Sequence, residues 1–204
     1  MIKIYGSPLS SASRCYWMLE ELGLAYQHVP LDMRNKEHKS EKYLQINPNG
    51  KVPAIIDGEY IIWESMAITS YLAKKHGSPL APQNVEEEGH AMQWSFWALV
   101  DFQPHAVNWL VQEKFVPAEV KNEKVIEDAK AAMPRVLGVL EKGLQNKKYL
   151  LGSRFTVADV NVATCVNLLQ NLGYDTSSYS NVTQWMNACM ERPAFQKLQN
   201  LRGG

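Results

Sequence analysis

One stretch, Asn47–Ser65, most constrains what this chain can fold into; its sequence is NPNGKVPAIIDGEYIIWES. Turn residues open it, and two short apolar runs, 54–56 and 60–63, lie on either side of Asp57-Gly58. Asp-Gly between two such runs is the pattern of a tight β-hairpin. The next segment, 66–75, has apolar residues at helical spacing. The stretch therefore predicts a β-hairpin that leads directly into a helix.

Both ends of this hairpin carry features that suit ligand binding. Ser65 stands where the helix begins, and the free N–H groups and positive dipole end of a helix N-terminus favour a carboxylate or phosphate. Pro53 precedes the first strand, where proline is tolerated because it needs no ladder hydrogen bond. A cis Val52–Pro53 bond would leave the backbone of Val52 free to pair with an extended peptide. A trans bond at the start of a strand is the alternative.

The residues before the hairpin complete a small α/β unit. Alternation over 2–5 predicts a strand, 12–23 reads as a helix that Gly23 stops, and 26–31 is a second strand. The charged segment 36–46 predicts a short or irregular helix. The order β-α-β-α-β-β-α is the thioredoxin-like arrangement, a mixed sheet with helices on both faces. We therefore predict a thioredoxin-like α/β domain over 1–76.

The rest of the chain shows helical patterns without strands. A Gly- and Pro-containing linker, 77–86, precedes an all-α domain over 87–204. Pro104 should kink or break its first long helix, and Pro134 should bend the second. Thr156 and Asp159 form the pattern of a capping box before an apolar run. We expect Asp159→Ala to lower stability by about 1–2 kcal/mol through loss of this cap.

Charge, hydropathy and cysteine spacing exclude several classes of protein. The chain has 21 basic and 21 acidic residues, so no net field favours nucleic acid or an anionic membrane. No apolar run approaches the roughly 18 residues of a transmembrane helix. Without a leader-like N-terminal segment the expected location is cytoplasmic. Three cysteines at 15, 165 and 189 fit neither a disulfide framework nor a metal site.

Five motifs occur in one order along the chain: GSPLSSASR at 6–14, EHK at 37–39, NPNGKVP at 47–53, ES at 64–65 and FTVAD at 155–159. Together they resemble those of the cytosolic glutathione transferases. The first motif resembles the serine-type loop of the phi and theta classes, closest to phi/theta-like bacterial members. The resemblance implies a homodimeric detoxification enzyme without a metal, which uses glutathione as co-substrate and conjugates it to small hydrophobic electrophiles.

In the serine-type pattern the catalytic serine stands four residues before an arginine, which identifies Ser10, before Arg14. The pKa of a free thiol is about 8.5. Lowering it by about two requires about 2.7 kcal/mol of preferential thiolate stabilisation. A hydroxyl donor near a helix N-terminus can supply this. Ser10 would donate a hydrogen bond and not attack covalently. An ordinary N-cap is the alternative role for Ser10, and Ser11 is the second choice as donor.

The resemblance also assigns the parts of glutathione that are distant from the thiol. Ser65 would take the γ-glutamyl carboxylate, and Glu64 would bind the α-amine. Val52, before a cis Pro53, would pair its backbone with the cysteinyl residue.

Basic residues would hold the glycine carboxylate of glutathione. The resemblance assigns this contact to Lys39 and Lys51, together with His38. In the absence of the family pattern, the charged run 36–42 reads as a solvated surface. The contact is therefore an implication of the resemblance alone.

The electrophile would lie against the helical domain. The expected pocket residues are Leu9, Trp97, Asp101, His105 and Trp109. An aromatic stripe at helical spacing is equally typical of a core or of a dimer interface.

Three other functions stay open at this point. A relative that kept the fold as a non-catalytic binding or regulatory protein would show the same motifs. A glutathione-dependent peroxidase, isomerase or dehalogenase would share every glutathione contact. A glutaredoxin-like oxidoreductase needs a cysteine in the first loop, where this chain has serines.

Overall fold

The computed structural model describes residues 1–77 and 79–203. It divides into two compact units, one formed by Met1–Ala81 with the segment from Glu191 onward, the other by Pro82–Met190. The described residues form four strands, β1 (Ile2–Tyr5), β2 (Tyr26–Val29), β3 (Ala54–Asp57) and β4 (Tyr60–Trp63), and nine α-helices, α1 (Ser13–Glu21), α2 (Glu41–Leu44), α3 (Ser65–Lys75), α4 (Val85–Trp97), α5 (Gln103–Lys114), α6 (Glu123–Gly143), α7 (Val157–Asn171), α8 (Ser180–Met190) and α9 (Pro193–Gly203).

The first unit contains a mixed sheet with strand order β2-β1-β3-β4. β1 pairs parallel with β2 and antiparallel with β3, which pairs antiparallel with β4. Ile4 and Ile55 lie opposite each other and are fully buried, so the central strands form the core of the unit. The hairpin prediction is confirmed, with Asp57 paired to Tyr60 and Gly58 at φ 66° in the connecting turn. This mixed sheet, with α3 packed against β3 and β4, is the predicted thioredoxin-like architecture.

Helix α1 is more buried than its sequence pattern predicts. Every residue from Ser13 to Leu19 is buried, because α3 and α9 both pack against this helix. The rings of Trp17 and Phe195 lie 4.8 Å apart between their centroids. The segment from Glu191 onward therefore clusters with the first unit, although we assigned it by sequence to the helical domain.

Acidic side chains at the end of α1 face the C-terminal segment. Arg192 donates two hydrogen bonds of 2.6 Å to the carboxylate of Glu21. Lys197 lies 3.3 Å from a carboxylate oxygen of Glu20. These ion pairs explain why two glutamates stand at the end of an otherwise buried helix.

In the second unit the predicted kink takes the form of a π-helical turn, Ala98–Phe102, between α4 and α5. Pro104 lies at the start of α5 and has no N–H to donate to the preceding turn. A π-turn accommodates this missing donor without ending the helical path. Helix α6 likewise continues through Pro134.

The second unit is organised around α7, most of which is buried. The capping box at Thr156 and Asp159 is confirmed: the Thr156 N–H donates to the Asp159 carboxylate at 2.8 Å. At the end of α6, Gly143 lies so close to the indole ring of Trp94 that an added Cβ would overlap it. Within residues 1–77 and 79–203, no helix is both long and apolar enough to cross a membrane.

Candidate functional site

Three segments of the first unit meet at the start of α1. The Ser11 hydroxyl, in the loop before α1, donates to the Val52 carbonyl at 3.1 Å. Arg14, in the first turn of α1, donates from Nη1 to the Ser65 hydroxyl at 2.8 Å. Gly6, at φ 113°, lies so close to Val52 that a Cβ would approach its side chain to 2.9 Å. The loop before α1, the loop before β3 and the start of α3 therefore form one junction.

The two candidate serines make different contacts at this junction. The Ser10 hydroxyl donates to the Ser7 carbonyl at 2.7 Å and accepts the Ala12 N–H at 3.2 Å. Ser10 thus closes a turn ahead of α1 but is not the helix N-cap that sequence analysis gave as the alternative, because the N-cap is Ala12. Ser11 is exposed, and its hydroxyl bridges to Val52. Both hydroxyls lie on the loop that faces the start of α1.

Arg14 is a site residue that sequence reasoning used only as a spacing marker. Its side chain is almost entirely buried at 3% exposure, although guanidinium groups are rarely buried without a partner. Its bond to Ser65 places a full positive charge directly behind the first residue of α3. This charge adds to the positive end of the helix dipole. The signal that could have found it is an arginine on the apolar face of a predicted helix.

Glu64, the N-cap of α3, has an unusual backbone conformation. Its φ of 72° and ψ of 114° lie outside the regions that a side-chain-bearing residue normally adopts. Such strain is typically worth about 1–3 kcal/mol and is common at ligand-binding sites. The conformation holds an exposed carboxylate beside the buried Ser65.

Before β3, the Val52–Pro53 bond is cis, as the family resemblance implied. The carbonyl of Lys51 accepts the Tyr43 hydroxyl at 2.8 Å and the Asn47 amide at 2.7 Å. These two buried side chains fix the backbone ahead of Val52. Sequence reasoning used Asn47 only as a turn residue and did not identify Tyr43.

The basic candidates lie beside this loop. Lys39 donates from Nζ to the Asn49 carbonyl at 3.1 Å, and its side chain packs over Gly50. His38 is half-buried, and its Nδ1 is shielded from solvent with no hydrogen-bond partner among the described residues. The Lys51 residue is exposed. Two of the three basic candidates are therefore exposed, and the third has a ring nitrogen that is shielded and unsatisfied among the described residues.

Neither Cys15 nor Tyr5 is placed as an ionised group at neutral pH. Cys15 is fully buried, with Sγ 3.7 Å from the Ser65 carbonyl, and burial raises the pKa of its thiol to about 12. Tyr5 packs against Tyr43 with ring centroids 5.6 Å apart, and burial raises the pKa of its phenol.

The expected electrophile residues lie in both units, and each has its own surroundings. Leu9, in the first unit, is 74% exposed. In the second unit, Trp97 is half-buried, and Asp101 lies 3.5 Å from Arg135. His105 is half-buried on α5.

Trp109 differs from these residues because it is 5% exposed and lies in the packed interior of the second unit. Its ring centroid is 5.9 Å from that of Tyr174, and the Lys130 ammonium lies 5.0 Å from it. The indole N–H groups of Trp97 and Trp109 are shielded and have no hydrogen-bond partner in the described part of the chain. Buried indole N–H groups normally find an acceptor. These two are therefore buried donors that the described residues leave unsatisfied.

Metal binding has no geometric support in the described residues. Across residues 1–77 and 79–203, no group of three or more His, Cys, Asp or Glu side chains is placed to hold a metal ion.

Comparison with known proteins gives matches over most of the chain. The family model described as the glutathione S-transferase N-terminal domain matches residues 1–74, and that of the C-terminal domain matches residues 102–193. Glutathione S-transferase F9 of Arabidopsis thaliana is 31% identical over 97% of this chain and 95% of its own. Glutathione S-transferase 3 of Zea mays is 33% identical over 96% of this chain and 92% of its own.

Solved structures of glutathione transferases also match this chain. A structure of glutathione S-transferase-I bound with lactoylglutathione superimposes with a TM-score of 0.90 at 32% identity, over 98% of this chain and 99% of that one. Glutathione transferase F2 from Populus trichocarpa gives a TM-score of 0.92 at 30% identity, over 100% of this chain and 99% of that one.

Proposed function

This chain belongs to the glutathione S-transferase family, and from that premise we propose that it is a serine-type transferase of the phi/theta-like kind. It binds glutathione, stabilises its thiolate through a serine hydroxyl and conjugates it to hydrophobic electrophiles in detoxification. The observation that carries this proposal is the junction in which hydrogen bonds join Ser11 to Val52 and Arg14 to Ser65. One extended tripeptide can contact all of these segments.

The γ-glutamyl end of glutathione carries a carboxylate and an amine. Ser65 accepts a hydrogen bond from Arg14, so its own hydroxyl hydrogen is free to be donated to the carboxylate. The N-terminus of α3 and the Arg14 charge favour the same anion. The strained, exposed Glu64 supplies the counter-charge for the α-amine. The cysteinyl backbone would pair with Val52, beside the buried Pro53.

The glycine carboxylate would be held by His38, Lys39 and Lys51. Lys39 is anchored over the turn at Gly50, which brings its ammonium to the loop that carries Lys51.

Ser10 is our first choice as the thiolate donor because its hydroxyl is already polarised. The Ala12 N–H donates to its oxygen, and a hydroxyl that accepts one hydrogen bond is a stronger donor in the next. An anionic sulfur is a better acceptor than the Ser7 carbonyl that holds this hydroxyl in the free protein. Ser11 is the second choice, since its donation to Val52 would be interrupted in the same way.

The second substrate is a small hydrophobic electrophile. Leu9, Trp97, Asp101, His105 and Trp109 are the proposed pocket residues. The proposed location is cytoplasmic.

We propose a homodimer as the assembly. On the edge strand β4, Tyr60, Ile61 and Trp63 are exposed. On α4, exposed Met92 and Phe96 form one apolar stripe. Exposed apolar surfaces of this kind are typical of interaction sites.

The dimer is tested by light scattering of Phe96→Asp. Phe96 is exposed in the protomer, so this change leaves the fold intact and should lower the measured mass to that of a monomer. Val85→Asp is the matched control, because Val85 is 80% exposed at the start of the same helix. A dimer in both variants would contradict this choice of interface.

The activity is tested with glutathione and a generic aryl halide, comparing the wild type, Ser10→Ala and Ser11→Ala. We expect turnover in the wild type, a loss of about 100-fold in kcat for Ser10→Ala and a much smaller loss for Ser11→Ala. The reverse order would assign the role to Ser11. Retention on immobilised glutathione without any turnover would identify a non-catalytic binding protein.

A further inference from the structure

We propose that Arg202, in the last turn of α9, is a positioning residue that holds the loop of the catalytic serine in place. Its Nε–H donates to the carbonyl of Pro8 at 3.2 Å, two residues before Ser10. The inference rests on the proposed function and names a further residue for it. No motif in the sequence indicated a role for this arginine.

The loop itself makes mainly local hydrogen bonds. The Leu9 N–H donates to the Ser7 hydroxyl at 3.2 Å, and the Ser10 N–H donates to the Ser7 carbonyl at 2.9 Å. These bonds set the internal shape of the turn. Ser11, at its C-terminal end, attaches it to the Val52 carbonyl, but none of these bonds attaches its apex at Pro8. Pro8, at its apex, has no N–H with which to do so. The Arg202 bond supplies an attachment from a distant segment of the same unit.

The arginine is itself well anchored. A second donor, Nη1, lies 3.3 Å from the Gln199 side chain one turn earlier. Near the start of α9, Phe195 packs on Trp17 of α1, the helix that follows the serine loop. Arg202 is half-buried, so part of its hydration has been exchanged for protein contacts, and this burial lowers the pKa of its guanidinium. A partly desolvated cation donates stronger hydrogen bonds than one in water.

The consequence concerns the thiolate. A serine hydroxyl stabilises sulfur only when it is held within about 0.5 Å of the productive geometry. Without Arg202 the turn keeps its bonds to α1 and to Val52, but its apex at Pro8 loses its attachment and can shift the Ser10 hydroxyl. The thiol pKa of bound glutathione should then rise. The rate should fall at low pH, where less of the thiol is ionised, and stay unchanged at high pH, where all of it is ionised.

The test compares Arg202→Gln and Arg202→Lys with the wild type, and Lys197→Ala is the matched control. Lys197 lies on the same helix in an exposed ion pair with Glu20, so its loss perturbs α9 without touching the loop. Lysine can still offer one donor to a carbonyl and should restore most of the function.

Two readouts separate positioning from a general structural effect. In the pH profile of kcat/KM, Arg202→Gln should raise the apparent pKa by about 0.5–1, a three- to tenfold loss at low pH. The two profiles should converge at high pH. Hydrogen exchange of the free protein should accelerate in peptides covering 7–12 for Arg202→Gln and stay unchanged for Lys197→Ala.

A uniform loss of rate at all pH values, or profiles identical to the wild type, would overturn the inference. Faster exchange in both variants would do the same, because it would indicate loosening of α9 as a whole. If the wild type itself leaves the thiol pKa at its solution value, the proposed function fails first. A lowered pKa in the wild type that Arg202→Gln leaves unchanged would reject the positioning role alone.

Discussion

Replacing Asp159 by alanine should destabilise the second unit far more than the loss of a helix cap. Asp159 is fully buried, and its carboxylate accepts four hydrogen bonds. One oxygen accepts the N–H and hydroxyl of Thr156, at 2.8 and 3.1 Å. The other accepts the Leu150 N–H and the Trp185 indole N–H, both at 2.9 Å. The carboxylate thus links the start of α7 to α8, through Trp185, and to the turn at Leu150 that precedes α7.

The magnitude follows from the donors that alanine would leave behind. Burial raises the pKa of Asp159, whereas its four donors lower it and stabilise the charged form. Three N–H groups, those of Leu150, Thr156 and Trp185, would lose their acceptor. An unsatisfied buried donor costs about 1–3 kcal/mol, so we expect a loss of about 3–9 kcal/mol from the three. This exceeds the 1–2 kcal/mol expected from a cap alone.

Urea unfolding, followed by tryptophan fluorescence and by circular dichroism, measures this loss. Coincident transitions are needed to treat the chain as two-state. Asp175→Ala is the matched control, because Asp175 is exposed and its carboxylate accepts bonds of 2.8 and 3.0 Å from the nearby Ser177. We expect the control to lose less than about 1 kcal/mol. A loss for Asp159→Ala as small as that of the control would refute this reasoning.

Three further predictions test the packing and the site. Gly143→Ala should lower stability by about 1–3 kcal/mol, because the added Cβ would overlap the indole ring of Trp94. Gly138→Ala, on the same helix, is the control: its Cβ meets nothing, so the change should be neutral or stabilising. Equal melting temperatures for the two variants would contradict this prediction. Arg14→Met and Ser65→Ala should each weaken glutathione binding about tenfold by calorimetry, and the double variant should lose less than the sum because the two residues act as one unit. Additive losses would mean that they act separately. The pKa of Cys15 is raised to about 12, so its thiol stays protonated at pH 8 and should react with a thiol reagent only after denaturation; rapid labelling of the native protein would count against its burial.

Local chemistry explains why the hairpin and the capping box could be predicted. Asp57-Gly58 is a turn signal that depends on adjacent residues. The first strand ends at Asp57, one residue beyond the predicted apolar run 54–56, and the second begins at Tyr60 as predicted. Thr156 and Asp159 are three residues apart, so their bond is also a local property.

The position of the C-terminal helix could not be predicted in the same way. It depends on the contact of Phe195 with Trp17 and on the ion pair of Arg192 with Glu21. These partners are separated by most of the chain, and nothing in their local sequence specifies the pairing. The same holds for Arg202, whose bond to Pro8 has no sequence signature.

Within the site, sequence gave the residue types but not their partners. The spacing of Ser10 and Arg14 drew attention to the loop, but it gave no indication that Arg14 is buried against Ser65. The family pattern ranked Ser10 before Ser11, but it did not indicate what either hydroxyl contacts. The two hydroxyls differ in the structure because one closes a turn and the other bonds to Val52.

The most direct test of the account is a pH titration of glutathione bound to the protein, followed by thiolate absorbance, in the wild type and in Ser10→Ala. We expect the wild type to lower the pKa of the thiol by about two from its solution value near about 8.5, and Ser10→Ala to restore most of it. An equally lowered pKa in both proteins would contradict the role of Ser10 and direct attention to Ser11. A thiol that titrates at its solution value in the wild type would contradict the central claim that this site activates glutathione.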